Sequence, residues 1–143
     1  MNIQTKKGFL LVLTAGFTLS YLLISPAVNL FQGMFPEGGR IALDFFQPFR
    51  PITPTILLIT LLRGAVIALI LLPARHLLST RLLFLTLWGL TLVCSLEPIP
   101  GTLEGMIYTR TTWGEHLLIL AGGAVQMALC ASFYAFMTRE VSS

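Results

Sequence analysis

An arginine inside an apolar run is the strongest chemical signal in this chain. Arg63 stands within Thr55–Leu72 (TILLITLLRGAVIALILL), eight residues from its start, and is the only charge there. A guanidinium at the centre of a hydrocarbon-embedded helix raises the insertion cost by about 2.5–3.5 kcal/mol, so it is expected to face protein or water and to hold a partner. Gln126 lies ten residues into the run His116–Met137, roughly 15 Å deep from the same side, and Thr18 in Gly8–Ala27 falls at a similar level. Thr91, in Leu77–Leu96, is somewhat shallower. Each of the four apolar runs thus offers one polar side chain near mid-depth. The sequence predicts a buried polar layer of Arg63, Gln126, Thr18 and Thr91.

Two chemistries suit such a layer. It can fix helix register through interhelical hydrogen bonds. It can also recognise an anion or a headgroup, because the planar guanidinium meets carboxylate and phosphate with two parallel bonds. Glu97, at the end of the third run, is a second candidate partner, since the arginine stem is long enough to snorkel towards it.

A further polar set, Glu97, Glu104, Arg110, Glu115 and His116, gathers in and beside the segment 97–115. A general acid or base would be available there, but no pair has a diagnostic spacing. One imidazole with carboxylates is an ordinary metal ligand set, yet the helix-borne H-E-x-x-H spacing is missing, so no metal is assigned. The two histidines, His76 at the inner connection and His116 at the outer start of the fourth run, are separated by most of the bilayer in the expected topology, which argues against a bis-histidine haem. No C-x-x-C-H motif is present either, and no cofactor is expected. Cys94 and Cys130 differ in depth by roughly 15 Å, too far for the Cα separation of about 4.4–6.8 Å that a disulfide needs. Walker loops, nucleophile elbows and dinucleotide fingerprints are lacking.

The elements that must position these residues follow from composition. Of 143 residues, 55% are hydrophobic and only 10% charged; the mean hydropathy is +0.84. Soluble domains carry about 25% charged residues, so this chain lacks the polar surface of a water-facing globule. A soluble enzyme, a disordered chain and a DNA-binding domain are excluded on that ground. The nine Lys and Arg are scattered among apolar runs and form no basic patch, so nucleic acid is not an expected partner. The bilayer core is about 30 Å thick and a helix rises about 1.5 Å per residue, so a span needs roughly 20 apolar residues. The four runs, 8–27, 55–72, 77–96 and 116–137, meet that need. The expected fold is a single all-α transmembrane domain over 1–143, an up-down bundle of four helices.

Cations set the orientation. With the N-terminus inside, Lys6, Lys7, Arg75, Arg81 and Arg139 lie on the inner face, against Arg40, Arg50 and Arg110 outside. That bias places both termini in the cytoplasm and the loops 28–54 and 97–115 outside. Lys6-Lys7 followed by an apolar stretch and Ser25-Pro26-Ala27 also has the look of a secretory signal. The stretch exceeds the usual length and Pro26 sits in the supposed cleavage site, so an uncleaved span is expected.

The short inner connection, Pro73 to His76, makes the second and third helices expected antiparallel neighbours. In the first outer loop Ile41, Ala42, Phe45, Phe46 and Phe49 share one helical face opposite Arg40, Asp44 and Gln47, the pattern of a short interfacial helix. Small residues recur at helical spacing: Gly16-x-x-x-Ser20, Gly64-x-x-x-Ala68, and the row Ala124, Ala128, Ser132. Such rows let backbones approach, within the bundle or between chains.

The function expected from these features is that of a small multi-pass protein of the cell (inner) membrane, a non-catalytic accessory or scaffolding subunit. Its partners would be the lipid bilayer and another membrane protein or a second copy. The alternatives are a small transporter or channel using Arg63 and Gln126, and a membrane-embedded enzyme acting on a lipid-like substrate at the outer loop.

Overall fold

The computed structural model describes residues 5–33, 53–93 and 113–140. Within them the chain is helical and has no strand: α1 (Lys6–Gly33), α2 (Pro54–Leu71), α3 (Thr80–Val93) and α4 (Trp113–Glu140). The expected interfacial helix of the first outer loop lies outside the described residues, as do Cys94, Glu97, Glu104 and Arg110.

Local chemistry explains the helix starts. The Thr5 hydroxyl accepts from the Gly8 amide at 3.1 Å and opens α1. Thr53 sits in extended backbone and accepts from the Ile56 amide at 3.3 Å, with Pro54 in the first helical position. The Ser79 hydroxyl accepts from the Leu82 amide at 3.3 Å and opens α3. After α2 a 3-10 turn, Leu72–Ala74, leads into the connection, where Arg75 donates back to the Leu72 carbonyl at 3.2 Å.

Among the described residues three segments are long and apolar enough to cross a membrane: Lys6–Ala27 with 22 residues, Pro54–Ala74 with 21 and His116–Thr138 with 23. The fourth helix differs from expectation. Within the described residues α3 has 14 residues, about 21 Å against a hydrocarbon core of about 30 Å, and positions 94–96 of the expected run lie outside them. Its start is set by the Ser79 cap, so Leu77 and Leu78 belong to the connection and not to the helix.

The interior is apolar, and so is much of the outer surface. The core holds Phe9, Val12, Leu13 and Phe17 of α1, Ala68 and Leu71 of α2, Leu83 and Leu87 of α3, and Met127, Cys130, Ala131 and Tyr134 of α4. On α1 the buried positions 9, 12, 13, 16, 17 and 20 form one stripe at helical spacing. α2 turns its Thr60, Gly64, Ala68 and Leu71 inward, while Leu58, Ile59, Leu62, Leu69 and Ile70 are exposed. Small residues inside and large aliphatics outside are the arrangement that lipid favours, since hydrocarbon gives helices no hydrophobic reason to associate and close van der Waals contact must do so.

Among the described residues α1 is the hub. It packs on both α2 and α4, and α3 packs on α4. The order across the bundle is therefore α2, α1, α4, α3. The short connection does not make α2 and α3 partners: they share no extensive face. Gly64 explains the α1–α2 contact, because a Cβ there would lie 3.1 Å from the Thr14 carbonyl oxygen. Gly16 does the same for α1 and α4, where a Cβ would lie 2.9 Å from Phe133 Cδ1. The Phe9 and Tyr134 rings meet edge to face at 5.8 Å, adding a directional contact. Gly89 and Gly123, by contrast, have nothing within 4 Å of an added Cβ. Gly89→Ala and Gly123→Ala should each leave stability within about 0.5 kcal/mol of wild type, measured as the unfolding midpoint in detergent.

Candidate functional site

The site builds outward from the α1–α2 seam. Gly64 brings the α2 backbone against Thr14 and Phe17, and Arg63, one position earlier, therefore emerges at the edge of that contact. Its guanidinium carbon lies 5.8 Å from the centroid of the Phe17 ring. That is cation–π range, where the negative face of the ring attracts the charge. Phe17 itself is only 1% exposed, whereas Arg63 stands on the exposed face of α2. Enclosure of Arg63 inside the bundle, expected from its depth, is not what the packing gives.

The mid-helix position is nonetheless retained. Arg63 falls at the middle of Pro54–Ala74, and Phe17 at the middle of Lys6–Ala27. The ring holds the charge at mid-length of both helices. Among the described residues no carboxylate, hydroxyl or carbonyl bonds to the guanidinium.

The other members of the expected layer are separately satisfied. Thr18 is buried and donates to the Thr14 carbonyl of its own helix at 2.9 Å. Thr91, half-buried, donates to the Trp88 carbonyl at 2.7 Å. Gln126 is half-buried on α4, a helix that shares no extensive face with α2. The structure thus brings α1, with Thr18, against the helix that carries Arg63, and leaves Gln126 and Thr91 on the α3–α4 side. No hydrogen bond joins these four residues among those described. Two further buried hydroxyls escaped the sequence reading. Thr60 donates to the Ile56 carbonyl at 2.8 Å and Ser20 to the Phe17 carbonyl at 2.9 Å. A hydroxyl that returns to its own helix needs no partner on another, which is why polar residues at one depth need not form a network.

At the other end of the sequence-predicted set, His116 is buried at 4% exposure in the first turns of α4, with its ring edge-on to Trp113 at 6.1 Å. Glu115 occupies the same turn. Cys130 is a buried free thiol. The described residues contain no group of three or more metal-ligating side chains.

Among the described residues the architecture is all-helical, with three helices long and apolar enough to cross a membrane and one mid-helix arginine on an outward face. Comparison with protein-family models, with curated proteins and with solved structures gives no match.

Proposed function

We propose that this chain is a small multi-pass protein of the cell (inner) membrane, acting as a non-catalytic accessory or scaffolding subunit of a larger assembly. The observation that carries this reading is the outward placement of one small-residue row. Gly16, Ser20, Gly64 and Ala68 are buried between helices, but on α4 Ala128 and Ser132 are exposed and Ala124 is half-buried. Small residues on an outer helix face let the backbone of a second helix come close, and lipid gains nothing from them. Both termini are assigned to the cytoplasmic side. Support for this comes from the distribution of Lys and Arg and from Phe9, near the start of its span, packing on Tyr134, near the end of its own.

The test is a pull-down of the full chain in mild detergent with native lipids retained. Ala128→Leu should lower recovery of a stoichiometric membrane partner by roughly tenfold, the worth of one good helix–helix contact. Its own unfolding midpoint should not move, because Ala128 is exposed. Equal recovery with leucine at 128 and with wild type would count against the reading.

A further inference from the structure

We infer that the outward seam of α2, centred on Arg63, docks a transmembrane helix of a partner that carries a carboxylate at the same depth. This rests on the subunit reading and adds the chemistry of the partner. Ile59, Arg63, Val66 and Ile70 recur at helical spacing on one exposed face, with Ile59 and Ile70 each 60% exposed and Val66 47%. The face is apolar apart from one cation. A helix laid along it meets aliphatic side chains above and below the charge, and the charge at its centre.

Three other sources of a counter-charge fit less well. Headgroup phosphates lie beyond the ends of Pro54–Ala74, roughly 15 Å from its midpoint along the axis, further than an arginine stem extends. The guanidinium is also turned onto Phe17, at mid-length of α1, and not towards an end. The chain's own apolar helices offer nothing: the segments 6–27, 54–74, 80–93 and 116–138 contain no Asp or Glu. A second copy would therefore bring another arginine to this depth and repel the first. All six carboxylates of the chain, Glu37, Asp44, Glu97, Glu104, Glu115 and Glu140, fall outside those four segments in the sequence. A carboxylate on a different chain remains, and it suits the group: two parallel N–H bonds to one carboxylate, in a medium without water to compete. Phe17 holds the guanidinium carbon 5.8 Å from its ring centroid, and the arginine is exposed on its outer side to such a partner.

A defined probe tests this directly. The full chain is reconstituted in zwitterionic vesicles, and energy transfer is measured to a polyleucine helix of about 20 residues bearing one central Glu. The all-leucine helix serves as reference. Wild type should bind the Glu helix roughly tenfold more tightly than the reference, and Arg63→Gln should abolish the preference while Arg63→Lys keeps part of it. No preference in wild type, or the same preference in Arg63→Gln, would overturn the inference. So would loss of the preference in anionic vesicles, because headgroups would then be the true counter-charge. Unchanged size-exclusion and helix content in Arg63→Gln guard against misfolding. The subunit reading fails separately: a wild-type chain that selects the Glu helix in vesicles yet recovers no stoichiometric partner from its own membrane would remove that reading alone. Conversely, full recovery of a partner by both wild type and Arg63→Gln would remove only the Arg63 seam.

Discussion

Phe17→Ala should destabilise the helix bundle by about 3 kcal/mol, the low end of what loss of a buried phenyl ring costs. The ring is 1% exposed, lies in the core stripe of α1, and touches the position where Gly64 brings α2 close. The low end is expected because separated spans still lie in hydrocarbon. Transfer out of water drops from the balance, and what remains is the cavity and its lost dispersion contacts. Phe17→Leu keeps most of the volume but removes the ring face under Arg63, and should cost about 1 kcal/mol. Denaturant unfolding of the purified chain in mixed micelles reads both. An Ala variant within about 0.5 kcal/mol of wild type would mean that α1 is not the hub.

Gly64→Leu should be comparably damaging, at about 3 kcal/mol, and should separate α2 from α1. A first carbon at this position already meets the Thr14 carbonyl oxygen at 3.1 Å, and the remaining side chain has no space beyond it. The contrast with Gly16 is informative. The gap there is nominally tighter, 2.9 Å, but the obstacle is the Phe133 ring edge, which can rotate, whereas a backbone oxygen cannot. Gly64→Ala should therefore cost about 1 kcal/mol and Gly16→Ala less, the reverse of what the bare distances suggest. Cysteines paired across α1 and α2 supply the structural readout: their cross-linking should vanish in Gly64→Leu and persist in Gly16→Ala. Persistent cross-linking in Gly64→Leu would show that the two helices do not meet at this glycine.

Much of the fold could be read from hydrophobic run length and small-residue spacing. The spans 8–27, 55–72 and 116–137 fall inside the helices α1, 54–74 and α4, and both glycine motifs that the sequence singles out on α1 and α2 lie in helix contacts. Run length was less informative for α3. Leu77 and Leu78 extend the apolar run, but a serine hydroxyl at 79 takes the Leu82 amide and sets the helix start. That signal was available as a serine just before the periodic residues.

Neighbour choice was harder to read. A short connection bounds how far apart α2 and α3 can be, yet it does not choose which face of α2 is buried. That choice belongs to the stripe Thr60, Gly64, Ala68, Leu71, which fits α1. The same stripe settles the direction of Arg63. Depth follows from counting residues, but facing requires the helical phase: with Gly64 in the seam, its predecessor is rotated about 100° away. Reading depth without phase is what placed Arg63 inside a polar layer. The hydroxyls at 18, 60 and 91 were equally ambiguous, because a threonine in an apolar run can serve its own helix as readily as a neighbour.

The central claim is that the small-residue face of α4 is a protein contact and not a lipid-facing surface. A photoactivatable side chain in place of Val125, already large, 50% exposed and one turn from Ala128, incorporated into the full chain in its native membrane, tests it most directly. Irradiation should give one protein adduct of discrete mass, lost when Ser132 on the same exposed face is enlarged to Leu. Adducts to lipid alone would contradict the account.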